Sequence, residues 1–499
     1  MKTVMGVDLG TQSIKVIVYN PETKVVEDSA SFPFELIARE DGSREQLAEW
    51  WLEGFRFCLQ QFSVRLKSTV VAIGVSGQQH GFVPVDQNGK VLAPVKLWCD
   101  TATTAECDSI MQAAGGEQRC IELGGNSIAA GFTASKILWL KNNKPDAYAV
   151  MTSVMLPHDY LNFFLTGNRT MECGDASGTG LLDVRSRSWS TELIEALDPQ
   201  RNLLGCFPRL IAANQSCGTL IPAVAVELGL NSNVIVAAGG GDNMMAAIGT
   251  GNVDDGMLTA SLGTSGTLFG YSSKPVVDAD GELASFCSST GGWLPLLCTM
   301  NCTVATEQLR DLFVLDVAAI DEMAASISVG ADGVLTLPFY NGERTPSLPN
   351  GKAVIFGLDM SNTTQAHLLR SAMEAAVFGL KTGLQAFQRN GMHFSEVTLT
   401  GGGSRSALWR QIFSDVFNLP VTVLKETENA AFGAAIQSLW CYQAIQDDTQ
   451  PSLIDIVSHH LSIDTERSCN PDEKNVALYE SLYRDYCALL DTLSPLYKQ

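Results

Sequence analysis

The residues of this chain that could do chemistry gather at glycine-containing turns. Asp8 follows the apolar run Val4 to Val7 and opens the turn Asp8-Leu9-Gly10-Thr11-Gln12-Ser13, after which Ile14 to Tyr19 alternates again. Such a turn exposes backbone N–H groups and hydroxyls suited to phosphate oxygens. Asp8 at its edge suits a hydrated Mg2+, which takes one or two carboxylates together with phosphates and water. Lys15 either adds a point charge there or is solvated on the second strand. The plainer alternative is an ordinary hairpin with an aspartate in its turn. A second copy weighs against it: Gly256 to Ala260, then Ser261-Leu262-Gly263-Thr264-Ser265-Gly266, then Thr267 to Phe269. Both carry Leu-Gly-Thr at the turn, and two such turns facing each other would clamp phosphates.

A second group of residues could handle a hydroxylated substrate. Gly239-Gly240-Gly241-Asp242-Asn243 follows the apolar run Val234 to Ala238. Three glycines permit a tight turn and close approach to a ligand. Asp242 then stands where a helix (Asn243 to Ile248) begins, either as an N-cap or as a general base on a substrate hydroxyl. Gln79 and His80 end a strand inside a glycine frame, Gly77-Gln78-Gln79-His80-Gly81, at the carboxyl edge where α/β folds bind ligands. A lone histidine also serves structure. Trp98-Cys99-Asp100 offers an apolar plate beside a carboxylate, or a buried Trp with a nearby cap. Gly401-Gly402-Gly403-Ser404, before a helix from Leu408 to Phe417, packs flat against an adenine or is simply a tight turn. Small residues from Glu428 to Ala435 favour close helix packing over ligand contact.

The elements that must position these residues are legible as α/β. Val70 to Val75 and Val397 to Thr400 read as buried strands that end in glycine loops. Each half therefore has an early Leu-Gly-Thr hairpin and a later strand with a glycine loop, which points to a duplicated unit with a boundary near Gly249 to Asp255. Helices are expected over Gln365 to Phe387 and Ala477 to Leu493. Gln446 to Cys469 reads as a polar, irregular surface stretch. The 499 residues imply two large domains. A composition of 45% hydrophobic and 17% charged residues excludes a disordered chain. The net charge of −21 repels nucleic acid and anionic lipid. The thirteen cysteines are scattered without a Cys-x-x-Cys pair and read as reduced thiols of a cytoplasmic enzyme. No secretory leader or membrane span is expected.

P-loop and Rossmann signatures are absent, as are His-Glu-x-x-His and Gly-x-Ser-x-Gly. What is present resembles the FGGY carbohydrate kinases over nearly the whole chain to about residue 445. The matching pieces are Asp8-Leu9-Gly10-Thr11, Gly77 to Gly81, Leu97-Trp98-Cys99-Asp100, Gly131-Phe132-Thr133-Ala134 and Leu156 to Leu161. Gly239 to Asn243, Ser261 to Gly266, Gly342-Glu343-Arg344-Thr345-Pro346 and Gly401 to Ser404 complete the set. The resemblance implies duplicated actin/hexokinase-type (ribonuclease H-like) α/β domains, residues 1–249 and 250–499, flanking a central cleft that closes on its substrates. It implies ATP-dependent phosphorylation of a ketopentose, D-xylulose at O5, with Asp242 as catalytic base and Asp8 near Mg2+. Gln79, His80, Trp98 and Asp100 fall on the sugar side. Gly10, Thr11, Gln12, Thr264, Gly402 and Ser406 fall where the family holds ATP. Cys99, Ala102 and Gln79 depart from the residues commonest in the ketopentose kinases. The expected partners are a small sugar and ATP, with a homodimer as the assembly to look for. Sister kinases of ribulose, other ketoses, polyols or sugar acids, an actin- or chaperone-like ATPase, and a catalytically idle sugar-sensing protein, against which the intact Asp242 argues, are the alternatives.

Overall fold

The computed structural model describes residues 2–426, 428–446 and 451–497. The chain divides into two compact units. The first comprises Met1–Asp254, Tyr271–Pro295 and Glu428–Leu461, and the second Asp255–Gly270, Leu296–Thr427 and Ser462–Gln499.

The first unit is built on a seven-stranded sheet. Strands β1 (Thr3–Leu9) and β2 (Ser13–Asn20) form an antiparallel hairpin with Asp8 opposite Lys15, and β3 (Val25–Pro33) continues it. Strand β4 (Val70–Gly77) lies parallel to β1 on its other side, Ser76 beside Asp8. Strands β5 (Ser216–Thr219), β6 (Ile235–Ala237) and β7 (Gly240–Gly241) follow. Both β6 and β7 pair parallel with β4, Gly240 opposite Ser76 and Gly241 opposite Gly77, while β5 is antiparallel to β6. The carboxyl ends of β1, β4 and β7 therefore meet at one edge of the sheet. Near-continuous apolar runs in β1 and β4 reflect burial on both faces.

One face of this sheet is covered by the helix Asn429–Gln446, whose small residues lie directly on the strands. A Cβ at Gly6 would fall 1.9 Å from the Ala431 carbonyl oxygen, and one at Gly74 would fall 2.0 Å from that of Ala434. The same helix meets Asp242–Gly249 backbone to backbone, since a Cβ at Gly433 would sit 1.8 Å from the Met245 carbonyl oxygen. The small residues near 430 thus serve packing.

The second unit repeats the plan. Strands β8 (Met257–Leu262) and β9 (Gly266–Gly270) form a hairpin, and β10 (Leu296–Thr299) extends it antiparallel. Strands β11 (Glu396–Thr400) and β12 (Val421–Thr422) add parallel on the other side. The order β10-β9-β8-β11-β12 matches β3-β2-β1-β4-β6 of the first unit strand for strand. This is the duplication that the paired Leu-Gly-Thr hairpins predict. Helices Gln365–Arg389, Ala407–Phe417 and Glu473–Tyr497 occupy the expected stretches.

The stretch 446–469 is not the irregular surface that its polar composition suggests. Leu453–His460 is a helix capped by Ser452, with Leu453, Ile456, Val457 and His460 buried. His460 Nδ1 and the Tyr19 hydroxyl lie 2.8 Å apart, and Cys469 exchanges backbone hydrogen bonds with Val421. Residues 447–450 of this stretch lie outside the described residues. All thirteen cysteines are free. Among the described residues no helix is long and apolar enough to cross a membrane.

Candidate active site

The shared edge of β1, β4 and β7 brings two carboxylates together. Asp8 lies one residue before the end of β1 and accepts a hydrogen bond from Ser76 Oγ at 2.9 Å. Asp242 follows β7 as the first residue of the helix Asp242–Gly249. Its Oδ1 accepts from the Asn243 N–H at 2.7 Å and from Asn243 Nδ2 at 3.1 Å. Both carboxylates are partly buried. Burial pushes Asp242 up to about 7, helped by the negative charges of Asp8 and Asp175 and opposed by the Asn243 N–H. Burial likewise raises Asp8 to about 6; Ser76 opposes this, Glu428 adds to it and Lys15 opposes it. Lys15 is itself paired to Glu428 at 2.5 Å. Each glycine before Asp242 is required by a neighbour: a Cβ would meet Val75 O from Gly239, Ser289 Oγ from Gly240 and Gln79 Cγ from Gly241, all within 2.7 Å.

Gln79 and His80 stand beside this pair on the continuation of β4. Gln79 Oε1 accepts from Asn243 Nδ2 at 2.8 Å, and its Nε2 lies 3.3 Å from Met244 Sδ. His80 has φ +64, a left-handed conformation rare outside glycine. The first hairpin turn is held by a polar ring. Gln46 Nε2 donates to the Thr11 carbonyl at 2.8 Å, Thr11 Oγ1 donates to Gln78 Oε1 at 3.0 Å, and Gln78 Nε2 donates to Gln46 Oε1 at 3.0 Å. Trp98 Nε1 donates to Thr11 Oγ1 at 2.9 Å with the indole 43% exposed, so this side chain lies against the turn and still faces solvent. Gly10 closes the turn on Ser13, and the Gln12 side chain is exposed. Asp100 is fully buried. It accepts from Lys96 Nζ, the Arg44 N–H and the Ala102 N–H at 2.8–3.1 Å, which anchors the turn that carries Trp98.

In the second unit the remaining expected residues share one edge. Thr264 lies exposed at the β8–β9 turn, with its carbonyl held by the Cys302 N–H at 3.0 Å. The loop after β11 lies directly on this hairpin: a Cβ at Gly401 or Gly403 would come within 2.8 Å of Leu262. One at Gly402 would meet nothing within 4 Å. Ser406 is the N-cap of Ala407–Phe417 and accepts from the Trp409 N–H at 3.2 Å. Buried Glu343 fastens the Gly342–Pro346 loop through the N–H groups of Met300 and Arg344 and through Asn301 Nδ2.

Sequence reasoning missed the support behind the first cluster. Gln46 and Gln78 lock the Thr11 turn. His158, fully buried, lies 2.6 Å from Asp175 and 3.0 Å from Asp159, the latter without hydrogen-bond alignment. Burial alone would lower its pKa, but the two carboxylates outweigh that and keep the ring charged. Buried Glu172 accepts from Ser289 Oγ at 2.6 Å. The adjacent His158-Asp159 pair inside an apolar helix was the available signal. Among the described residues no cluster of three or more His, Cys, Asp or Glu side chains could hold a metal. Burial raises both Asp8 and Asp242, and the Asp8 charge raises Asp242 further, a carboxylate pair that would suit a divalent ion carried in on phosphates.

The profile of the FGGY family of carbohydrate kinases, N-terminal domain, matches residues 3–249, and that of the C-terminal domain matches 258–442. A xylulose kinase of Haemophilus influenzae is 42% identical over 99% of this chain and 100% of its own. One of Staphylococcus xylosus is 31% identical over 98% and 100%. The crystal structure of a "xyloylose kinase" from Brucella ovis superposes with a TM-score of 0.91 at 28% identity, covering 99% of this chain and 100% of its own.

Proposed function

The chain belongs to the FGGY family of carbohydrate kinases, sugar phosphotransferases with the duplicated actin/hexokinase-like fold, and from that premise we propose that it phosphorylates a ketopentose, D-xylulose, at O5 with MgATP. The observation that carries this reading is Asp242: a partly buried carboxylate, held near neutrality, at the strand edge beside Asp8, Gln79 and His80. The names of the relatives support the choice of sugar.

In the proposed reaction the O5–P bond forms as the bond from Pγ to the β–γ bridging oxygen breaks. Asp242 accepts the O5 proton, and ADP leaves with the bridging oxygen. Phosphoryl transfer asks mainly for positioning and charge stabilisation. Asp8 would hold the Mg2+ that comes with the nucleotide and neutralises phosphate charge. The N–H groups of Thr11 and Gln12 in one hairpin, and the N–H and hydroxyl of Thr264 in the other, would serve as donors to phosphate, Gly10 shapes the first turn through its bond to Ser13, and Gly402 and Ser406 lie on the nucleotide side. Gln79, His80 and Trp98 orient the sugar, and Asp100 supports the Trp98 turn from behind.

The test is ADP production across pentuloses, polyols and sugar acids, with the preferred substrate read as the highest kcat/KM. D-xylulose should lead, and ATP alone should be hydrolysed slowly. A leading polyol or sugar acid would assign a sister activity. Hydrolysis that needs no sugar would point to an ATPase. Asp242→Asn should lose ~10²–10⁴-fold in kcat while binding ATP normally; near-normal turnover would remove the base.

A further inference from the structure

We propose that Lys136 is a positioning residue: it holds His80 in the left-handed backbone conformation from which the imidazole meets the sugar. The proposal rests on the reading of His80 as a sugar-side residue. His80 is not a glycine, yet its φ is +64, so the surroundings must over-determine that state. They do so from three sides. The His80 carbonyl accepts from Lys136 Nζ at 2.8 Å and from Thr133 Oγ1 at 3.2 Å. The ring places Nδ1 2.8 Å from the Gly178 carbonyl oxygen. A carbonyl can only accept, so Nδ1 carries a proton, and in the neutral ring Nε2 is then an acceptor for a hydroxyl. Phe132 and Phe286 flank the ring at centroid distances of 4.9 and 5.8 Å. Gly178 leaves room for this, because a Cβ there would lie 2.3 Å from Nδ1.

Lys136 is the unusual member of this set. It sits in the helix Thr133–Asn143 and is fully buried. Its ammonium donates to two main-chain carbonyls, those of His80 and of Gly131 at 2.7 Å, and it makes no ion pair within 4 Å with a described carboxylate. Burial lowers its pKa to about 7, with the charge of Asp100 opposing. A buried ammonium held by carbonyls alone is costly, and a helix needs no such group for packing. What the arrangement achieves is a bridge from the helix start to the one strained residue at the candidate site.

The test is a double-mutant cycle in the full-length protein, with D-xylulose and MgATP as substrates. Lys136→Met should raise the sugar KM roughly tenfold or more while the KM for ATP stays within about twofold; His80→Ala should raise the sugar KM as well. The double variant should match His80→Ala alone, because nothing remains to be positioned. Additive losses, or a Lys136→Met variant with normal sugar KM, would overturn the clamp while leaving the reading of His80 intact. Unchanged sugar kinetics in His80→Ala would overturn that reading, and the clamp with it. Should Lys136→Met fail to fold, Thr133→Val removes the other donor to the same carbonyl and should give a smaller rise of the same kind; no rise there would count against the proposal.

Discussion

Asp242 is held as an acid at pH values where an ordinary aspartate is ionised, and two measurable consequences follow. As a base it must lose its proton, so kcat/KM should rise with pH up to about 7 and then level off. A flat profile from pH 5 to 8 would contradict that role. The second consequence concerns stability. The unfolded carboxyl ionises near its ordinary value of 3.8 and the folded one near 7. Folding therefore binds the proton more tightly, and stability falls as pH rises between those values. Asp242→Asn removes that cost. The variant should be more stable than the parent at pH 8 by about 1–2 kcal/mol after allowance for partial exposure and so melt higher, and the advantage should vanish near pH 4. Equal melting temperatures at pH 8 would show that the carboxylate is well solvated. The sequence placed Asp242 at a helix start and left its role open between cap and base. Its charge state was not readable, because that depends first on burial and then on Asp8 and Asp175, distant in the chain and close in space.

The helix Asn429–Gln446 shows how an element can be placed by what it lacks. Its approach to β1, β4 and Asp242–Gly249 is a contact of main chain on main chain, so a methyl group there has no flexible neighbour to displace. Gly433→Ala should cost at least about 1–3 kcal/mol and reduce soluble yield. Gly402→Ala, which meets nothing within 4 Å, should melt like the parent yet raise the KM for ATP. A normal ATP KM in that variant would detach the Gly401–Ser404 loop from the nucleotide. The hairpins and the strands β4 and β11 were legible because hydrophobic alternation and turn residues are local signals. The helix Leu453–His460 was not found, although Ser452 followed by Leu453, Ile456, Val457 and His460 carries the cap and the helical spacing. A short element of four buried side chains disappears in the average polarity of its surroundings.

Across the whole molecule the duplication was readable from the paired hairpins and glycine-ended strands, but the strand order and the membership of each unit were not. Nothing local marks Tyr271–Pro295 or Glu428–Leu461 as part of the first unit; long-range packing assigns them. A fragment of residues 1–254 therefore lacks the helix that covers Gly6 and Gly74. Expressed alone it should be insoluble or melt without a cooperative transition, whereas a soluble fragment with a sharp transition would show that the cover is dispensable. The same arrangement bears on how the protein is made. About 170 residues separate Asp254 from Glu428, which at ~5–20 residues per second takes the ribosome on the order of 10–35 s. For that interval the nascent amino-terminal sheet has a bare apolar flank, which leaves time for a holdase to dock before the late helix arrives.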